Sequence, residues 1–349
     1  MAKGLDIGTA FLVGAVERGD EVKFIPMRDA FFKMPPGGMV EQMLTVSQVS
    51  YFKPQGKDEL YILGEEALEF AVKFKDGVLN RPMANGTINR DEIAAIDVLK
   101  VMFKTILGSP SKMNKEILVY SIPANPVDLD RDTIYHGDVL EIILGRYDED
   151  PNSEYKGLGY KPERINEALA IVFSELADDN YTGMALSFGA GMCNVCLSYM
   201  SAPVMTFSVA RSGDYIDQRA AAESGLTPSQ ICKIKENDID LRHINRSKRG
   251  HVQILVYYRN LIKYVVEYIC NEFSKAKQGI EGDEIPIVVS GGTSKVPGFT
   301  ELFEEIFMEA VNKEAFPLKP SKIVQAKDPL TAVAQGCYMV AKSKEAKLG

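Results

Sequence analysis

Residues 4–16 read GLDIGTAFLVGAV, an apolar run that is interrupted at Asp6, Gly8, Thr9 and Gly14. This pattern predicts two strands joined by a tight turn, with Asp6 to Thr9 at its tip. Glycines at such a tip let backbone N–H groups approach a phosphate, and a nearby carboxylate can hold the waters of a bound Mg²⁺. An ordinary strand turn with a surface aspartate explains the same residues equally well, so the turn by itself leaves the function open.

A second glycine turn lies near the middle of the chain. Residues 187–191 read SFGAG, inside another predicted strand, turn and strand that runs from Gly183 to Ser201. A phosphate chain that is held from both sides needs two such turns facing each other, because each turn offers only one set of backbone N–H groups. The second turn therefore favours a nucleotide site over two unrelated hairpins.

A third glycine segment reads VSGGTS at residues 289–294, where a buried strand is predicted to end. Paired glycines leave room for a flat ring or a sugar to lie against the backbone. A turn from strand to helix that needs a positive φ is the alternative, and it explains one glycine more easily than two.

The order of predicted elements indicates an α/β fold with an internal duplication. Strands are predicted at 116–122, 183–188, 204–211 and 285–290, and helices at 65–74, 91–107, 139–144, 164–176, 215–224, 253–275 and from about 299. A chain of 349 residues is too long for one simple core, since single cores stop growing near roughly 250–300 residues. We therefore expect two lobes. The last predicted helix, within 326–341, is rich in small residues that allow close packing.

The predicted domain boundaries follow from this duplication. Lobe I is expected to cover 1–183, with a core of 1–27 and 91–183 and a small inserted subdomain at 28–90, and to include the C-terminal helix 331–349. Lobe II is expected to cover 184–330, with a core of 184–214 and 285–330 and an inserted helical subdomain at 215–284.

Composition excludes several classes of protein. A net charge of −8 and a pI of about 5.2 argue against binding nucleic acid by bulk charge. No apolar run reaches the roughly twenty residues of a membrane span, and Lys3 and Asp6 interrupt any apolar leader. Five scattered cysteines are expected to be reduced thiols, with Cys193 and Cys196 on a strand of alternating faces. These features predict a cytoplasmic protein.

Together these motifs resemble a known family. The turn at 6–9, the turn at 189–191, the segment Gly291-Gly292-Thr293 and the closing helix occur in the order used by actin-like ATPases. The length, the segment GDYID at 213–217 and the turn Asp76-Gly77-Val78 before Asn89-Arg90-Asp91 look most like the bacterial actins MreB and MamK. The resemblance implies a duplicated, ribonuclease-H-like, two-lobed fold, with ATP or ADP and Mg²⁺ in a cleft between the lobes.

The resemblance also implies a role for each matching residue. Asp6, Gly8 and Thr9 would form the first phosphate loop, with Asp6 holding Mg²⁺ through water, and Gly189, Ala190 and Gly191 would form the second. Gly291, Gly292 and Thr293 would border the adenosine, and Lys235 and Glu236 would touch the base and ribose. Glu167 would orient the attacking water. Without the family, Glu167 is simply a carboxylate at the start of an amphipathic helix.

The second phosphate loop departs from the family pattern. Where the family usually has Asp, and Thr after the glycines, this chain has Ser187 and Met192, and Asn194 stands where an acidic residue is frequent. A serine hydroxyl can bond to a metal-bound water but supplies no charge, so attraction of Mg²⁺ and activation of water should both be weaker. We therefore expect slow hydrolysis, or binding without hydrolysis.

Three functions fit these expectations. The first is a cytoskeletal protein that polymerises with itself, because no domain remains for another substrate; a membrane or organelle adaptor would then be a partner. Residues 31–36 and 39–44 are either subunit contact surface or subdomain core. The second is a nucleotide-binding scaffold that does not polymerise. The third is a small-molecule kinase. Such an enzyme needs a catalytic Asp that faces a substrate hydroxyl, and the sequence offers no convincing candidate near the loops.

Overall fold

The computed structural model of the chain describes residues 2–19, 21–54, 56–74, 78–145, 157–276, 284–313 and 316–348. Asp76 and Gly77 of the predicted turn, and most of a surface loop predicted at 146–162, lie outside these ranges. Within them, no helix has both the length and the apolar character that crossing a bilayer requires.

The first half of the chain builds one five-stranded sheet and a small inserted sheet. Its elements are β1 (Lys3–Ile7), β2 (Phe11–Arg18), β3 (Glu21–Arg28), β4 (Phe31–Met34), α1 (Gly38–Val46), β5 (Tyr51–Phe52), β6 (Leu60–Leu63), α2 (Glu65–Lys73), β7 (Met83–Ala84), β8 (Thr87–Ile88), α3 (Ala95–Leu107), β9 (Ile117–Ile122), α4 (Thr133–Leu144), β10 (Lys161–Asn166) and α5 (Glu167–Glu175). The large sheet has the order β3-β2-β1-β9-β10, and β4, β6 and β5 form the small one.

The second half repeats this plan. Its elements are β11 (Gly183–Phe188), β12 (Cys193–Tyr199), β13 (Ala202–Val209), α6 (Gly213–Ser224), α7 (Pro228–Asn237), α8 (His251–Ala276), β14 (Glu284–Ser290), a short 3₁₀ helix (Gly292–Lys295), α9 (Phe299–Asn312), β15 (Lys319–Gln325) and α10 (Ala332–Leu348). The sheet order β13-β12-β11-β14-β15 matches that of the first half strand for strand. In both sheets the first three strands are antiparallel and the last two join in parallel. The predicted duplication is therefore confirmed.

Two helices form a layer between the sheets. Helix α10 contacts β1 and β9 of the first half, whereas α5 contacts β11 and β12 of the second, and the two helices cross each other. Small side chains permit this crossing: a Cβ on Gly336 would overlap the carbonyl oxygen of Ala170. Each half thus ends in a helix that packs on the sheet of the other half. The boundary between the lobes at residues 183 and 184 stays a prediction.

The helix predicted at 164–176 begins later than expected. Residues 161–166 instead form β10, whose Arg164 and Ile165 pair with Tyr120 and Ser121 of β9. Asn166 then caps α5, because its side chain accepts a hydrogen bond from the Leu169 N–H at 3.1 Å. The apolar residues of this segment fitted a helical spacing, but pairing with a neighbouring strand decided the conformation of its first part.

Helix α7 and strand β15 are among the elements that were not predicted. Helix α7 carries a capping box between Thr227 and Gln230 and has Pro228 at its first turn, a local signal that was available in the sequence. Strand β15 lies at the edge of its sheet and is mostly polar and exposed, so it lacks the apolar pattern by which strands are recognised.

Residues 31–36 and 39–44, for which subunit contact surface and subdomain core were both open, belong to the small inserted subdomain. Phe31 and Phe32 are buried, and Phe32 packs with Leu44 in the core of this subdomain. Met39 and Val46 on α1 are instead 85% and 84% exposed. The segment is therefore subdomain core at one end and exposed apolar helix surface at the other.

The two cysteines of the C-x-x-C sequence point to opposite faces of β12. Cys193 belongs to the core of the second sheet, and Cys196 packs in the layer of α5 and α10. Both are buried free thiols. The prediction of strand residues is confirmed.

Candidate functional site

A cavity of ≈ 430 Å³ lies between the two halves of the molecule, where the β1–β2 turn faces the β11–β12 turn. Every residue that the family resemblance assigned to the nucleotide, the cation or the attacking water lines this cavity, except Gly291. They are Asp6, Gly8, Thr9, Glu167, Gly189, Ala190, Gly191, Lys235, Glu236, Gly292 and Thr293. Residues spread over nearly the whole chain thus converge on one space.

Gly291 and its neighbour have different reasons to be glycine. Gly291 has a φ of 89°, and a Cβ there would come within 2.8 Å of the Phe188 nitrogen. It is a turn residue, as the alternative interpretation proposed. A Cβ on Gly292 would instead meet nothing within 4 Å, and the residue borders the cavity. Only the second glycine therefore leaves space for a ligand.

The two glycine turns touch each other across the halves. The Gly86 N–H donates to the Thr9 hydroxyl oxygen at 3.0 Å, which ties the first turn to the β7–β8 hairpin. A Cβ on Gly191 would lie 2.6 Å from the same Thr9 oxygen and would also overlap the Gly86 nitrogen. Gly191 is therefore required by the close approach of the two halves.

The turn at residues 189–191 is held in place by hydrogen bonds to its carbonyl oxygens. The carbonyl oxygen of Gly189 accepts hydrogen bonds from the hydroxyls of Ser212 and Thr293, both at 2.7 Å. The Ala190 carbonyl accepts from the Asp214 N–H at 2.8 Å. With its carbonyls engaged by the start of α6 and by the 3₁₀ helix, the turn is held as a rigid wall of the cavity.

Asp6 lies near the end of β1 and is half-buried. The Ser121 hydroxyl on β9 donates to Asp6 Oδ1 at 2.8 Å, and the same hydroxyl oxygen accepts from the Ile7 N–H at 2.9 Å. Burial raises the pKa of the Asp6 carboxyl well above its usual range, which outweighs the opposite effect of the Ser121 hydrogen bond. Asp6 is thus an acidic group that a nearby positive charge would ionise.

Glu167 is the first residue of α5 and is held at both carboxylate oxygens. Ser187 Oγ donates to Oε1 at 2.6 Å, and Asn194 Nδ2 donates to Oε2 at 2.8 Å. Burial raises the pKa of Glu167, the charge of Asp6 raises it further, and the Ser187 hydrogen bond lowers it. In the sequence, Ser187 and Asn194 were recognised only as departures from the family's second phosphate loop. Their hydrogen bonds to Glu167 were not predicted.

Lys235 and Glu236 each form an ion pair with another side chain of the protein. Lys235 Nζ lies 2.8 Å from Asp217 Oδ1 and donates to the Gly213 carbonyl at 3.0 Å. Burial lowers the pKa of Lys235 and is the largest single effect, but the charge and hydrogen bond of Asp217 together with the charges of Tyr258 and Cys232 outweigh it, so the ammonium stays charged. Glu236 accepts from Arg28 Nη2 at 2.9 and 3.0 Å. Both residues border the cavity with their charged ends engaged elsewhere.

Ion pairs join the two halves beside the cavity, and the sequence did not predict them. Arg28 of β3 meets Glu236 of α7, and Arg81 meets Asp214 of α6 at 2.8 Å. A third pair joins Lys233 of α7 to Glu69 of α2 at 2.6 Å. Charged residues more than 130 positions apart give no pairing signal in a single sequence, and only the fold brings them together.

Part of the cavity wall is apolar. Ile239, Val296, Pro297 and Leu330 line it, together with the ring of Tyr258. The Tyr258 hydroxyl donates to the Thr293 carbonyl at 3.1 Å, so its polar end is satisfied. A site lined by backbone turns, carboxyl groups and apolar side chains suits a ligand that has both a polar part and a flat apolar part.

The donor set allows a divalent cation to enter with a ligand. In the described parts of the chain, no group of three or more His, Cys, Asp or Glu side chains could hold a metal. Asp6 and Glu167 nevertheless both face the cavity. Mg²⁺ usually keeps several waters and is bound by one or two carboxylates plus substrate phosphates, so these residues fit it as part of a metal–phosphate complex.

Comparison with solved structures finds the same architecture in proteins of low sequence identity. A structure described as the MamK double helical filament has a TM-score of 0.68 at 16% identity, covering 97% of this chain and 98% of that one. MreB 5 of Spiroplasma citri bound to AMPPNP has a TM-score of 0.66 at 16% identity, with 99% and 97% covered. Ta0583, an archaeal actin homolog, has a TM-score of 0.62 at 14% identity, with 98% and 100% covered.

These likenesses establish the fold, as the motifs predicted: it is the two-lobed, duplicated fold that these actin-like proteins share. No curated protein sequence matches the chain. The family model described as Volactin matches residues 1–341, which is nearly the whole sequence. The chain therefore belongs to the Volactin family.

Proposed function

We propose that the chain binds ATP or ADP in the cavity between its halves and assembles with itself into cytoplasmic filaments that depend on the nucleotide. The observation that carries the proposal is the convergence of both glycine turns, Asp6 and Glu167 on one cavity. Two solved relatives of the same fold support it: MreB 5, described with AMPPNP and with ADP, and MamK, described as a double helical filament.

Different parts of the cavity lining would hold different parts of the nucleotide. The backbone of the turns at residues 8–9 and 189–191 would hold the phosphates, and the wall of Ile239, Val296 and Pro297 would take the base. Asp6 would hold Mg²⁺ through its waters, and the cation would supply charge stabilisation at the phosphate oxygens. A cationic neighbour also favours the ionised form of Asp6, which burial alone disfavours.

Hydrolysis in this site would be slow. Glu167 would position the water for in-line attack on the γ-phosphate, and the turn N–H groups would stabilise the charge that develops. Because residue 187 is a serine, the second turn supplies one carboxylate fewer to attract the cation. The raised pKa of Glu167 further reduces the share of ionised carboxylate near neutral pH.

The second candidate is a nucleotide-binding scaffold that neither hydrolyses nor polymerises. It is favoured by the engagement of both oxygens of Glu167 with Ser187 and Asn194. A carboxylate that already accepts two hydrogen bonds has fewer lone pairs available for a substrate water. In either case, attachment to a membrane or an organelle would require an adaptor partner.

High-speed pelleting separates the two candidates. Purified protein is centrifuged with Mg-ATP, with Mg-ADP and without nucleotide, each pellet is examined by negative-stain microscopy, and phosphate release is followed in parallel. We expect filaments that require or prefer ATP, with slow phosphate release. Nucleotide binding without any assembly would instead favour the scaffold.

A variant with a blocked cavity links assembly to the site. Gly292→Leu places bulk in the empty space beside the 3₁₀ helix, where a Cβ meets nothing within 4 Å. We expect it to lose nucleotide binding and ATP-dependent pelleting together. Ala222→Leu, at an exposed position of α6, adds the same kind of side chain outside the cavity and should behave as wild type. Full assembly by Gly292→Leu would contradict the proposal.

A further inference from the structure

Asn194 is a buried amide of the second half that binds two segments of the first half. It lies on β12, where it is 1% exposed, and its Oδ1 accepts from the Ala124 N–H at 2.9 Å. Its Nδ2 donates to Glu167 Oε2 at 2.8 Å. A backbone N–H can only donate, so the amide oxygen must face Ala124 and the amide nitrogen must face Glu167. The orientation of the Asn194 amide is therefore determined by its partners.

Ser187 stands directly opposite Asn194 in the sheet. The two residues are register partners on the antiparallel strands β11 and β12, so their side chains lie on the same face. Ser187 Oγ donates to Glu167 Oε1 at 2.6 Å, while Asn194 holds Oε2. Each oxygen of one carboxylate thus receives one hydrogen bond from one member of a cross-strand pair.

The segment that presents Ala124 is itself docked on the second half. The Ser208 N–H of β13 donates to the Asn125 carbonyl at 3.1 Å, and the Val127 N–H donates to the Ser208 carbonyl at 2.9 Å. The Asp128 carboxylate accepts from the Ala210 N–H at 2.9 Å. Residues 124–128, which follow β9, therefore lie along the free edge of the second sheet, beside Ser208.

We propose that Ser187 and Asn194 are positioning residues that form a neutral fork around the Glu167 carboxylate, and that Asn194 makes this grip depend on residues 124–128 staying docked on β13. The inference rests on the proposed function only in giving Glu167 the task of placing a water. Ser187 and Asn194 belong to the second half of the chain. The carboxylate that they hold, Glu167, is the first residue of α5, which directly follows strand β10 of the first half.

The chemistry of the fork explains the residues found at 187 and 194. A carboxylate at either position would face Glu167 at hydrogen-bond distance, where two like charges repel and one of them must take up a proton. Neutral donors instead satisfy the carboxylate and fix its rotamer. Compared with the acidic residues that the family pattern has at these positions, Ser187 and Asn194 supply no charge but hold the Glu167 carboxylate in one orientation.

The proposal is tested by a double-mutant cycle on Asn194→Ala and Glu167→Gln, read in two ways. The first readout is thermal unfolding of the nucleotide-free protein. The second is single-turnover phosphate release, with binding of a fluorescent ADP analogue measured alongside. We expect Asn194→Ala to slow phosphate release by about 10²-fold, the cost of misplacing a reacting group, with nucleotide affinity nearly unchanged. In the Glu167→Gln background it should cause little further loss.

Two conservative variants separate positioning from support of the fold. Asn194→Asp keeps an acceptor for the Ala124 N–H but replaces the neutral donor to Glu167 with a second carboxyl group, which either repels Glu167 or shares one proton with it. The variant should therefore fold and yet release phosphate as slowly as Asn194→Ala. Ser187→Thr keeps the hydroxyl and should stay near wild type, whereas Ser187→Ala should not. Ser187→Ala also serves if Asn194→Ala fails to fold.

The outcomes distinguish this inference from the proposed function. If wild-type protein binds no nucleotide, the proposed function fails, and the unfolding cycle still decides whether the fork holds Glu167. Unfolding temperatures that shift less in the double variant than the sum of the single shifts support the fork. Strictly additive shifts, or wild-type phosphate release by Asn194→Asp, would overturn it.

Discussion

Glu167 shows how one residue can satisfy two interpretations. It opens helix α5, where a carboxylate is favoured by the helix dipole, and it also faces the cavity beside Asp6. Its two oxygens are held by Ser187 and Asn194 rather than by a basic side chain. Shielding from water and the charge of Asp6 both raise the pKa of Glu167, so this carboxyl group keeps its proton to a higher pH than an exposed one.

The raised pKa of Glu167 predicts how stability depends on pH. At Glu167 the native state binds a proton that the unfolded state has already released, so the contribution of this residue to stability is greatest in acid and is lost as pH rises from about 4 through the native pKa. Glu167→Gln removes this titration. We expect the fall in the free energy of unfolding between pH 5 and pH 8 to be smaller in the variant than in wild type, by on the order of 1 kcal/mol per unit of pKa shift.

The matching control for that experiment is Glu304→Gln, an exposed carboxylate on α9. Its pH profile should parallel that of wild type. His136 is buried, and burial lowers its pKa to about 4, so it destabilises the protein in acid equally in all three proteins. A Glu167→Gln profile as steep as wild type would mean that Glu167 does not carry a raised pKa.

At the scale of elements, α5 and α10 decide how closely the two sheets approach. Gly4 of β1 also lies against α10, since a Cβ there would lie 2.9 Å from the Tyr338 Cα. The layer between the sheets is built largely of alanines, among them Ala168, Ala170, Ala334 and Ala341. Small side chains were expected in the last helix for this reason, and the structure confirms the close packing.

Gly336→Ala should therefore destabilise the protein, although alanine is the better helix former. The added methyl group would overlap the Ala170 carbonyl oxygen, and overpacking of this kind costs about 1–3 kcal/mol. Chemical denaturation measures the change, with Ser343→Ala at an exposed site of α10 as control. A Gly336→Ala protein as stable as wild type would show that α5 and α10 lie farther apart.

At the scale of the whole molecule, ion pairs close the cavity on the side of the inserted subdomain. They join β3, α2 and the segment around Arg81 to α6 and α7. Opening the halves to exchange a ligand must separate these charges. We therefore expect exchange to be governed by salt as well as by contacts with the ligand itself.

Lys233→Ala tests this closure without altering the wall of the cavity. It removes the pair between α7 and Glu69 of α2, whose side chains are 30% and 42% exposed. A partly exposed pair contributes up to about 1 kcal/mol, so nucleotide release should speed up roughly two- to five-fold, and added salt should change the rate less. Stopped-flow displacement of a fluorescent ADP analogue measures the release rate.

The matched control for Lys233→Ala is Lys73→Ala, which removes the other partner of Glu69 within α2. That pair joins residues of one helix and does not cross between the halves. Its loss should leave the release rate unchanged. Equal acceleration in both variants would assign the effect to the charge of Glu69 rather than to closure.

The exposed face of α1 carries the prediction about assembly. Met39, Met43 and Val46 are spaced four and three residues apart, which places them on one side of the helix, and they are 85%, 51% and 84% exposed. If this face is a subunit contact, Met39→Lys with Val46→Lys should raise the protein concentration needed for pelleting several-fold. Ile93→Lys, at a residue 91% exposed outside α1, is the control. Unchanged pelleting would place the contact elsewhere.

Local patterns predicted the parts of the fold that depend on neighbouring residues. The β1–β2 and β11–β12 hairpins were predicted because strand alternation and turn glycines lie within a few residues of each other. Strand β10 and strand β15 were missed, since a partly polar segment becomes a strand only when its neighbour offers hydrogen bonds. Helix α7 was missed despite a readable cap.

The sequence by itself determined the two-lobed α/β fold, the two glycine turns and the presence of a carboxylate at the start of α5, because each depends on short-range spacing. Tertiary structure alone decided that Asn194 grips Glu167, 27 residues away, and that Arg28 meets Glu236, 208 residues away. A hydrogen bond or an ion pair is specified by distance and direction in space. No periodicity in the chain encodes either quantity, so these contacts exist only once the two sheets have closed on the helices between them.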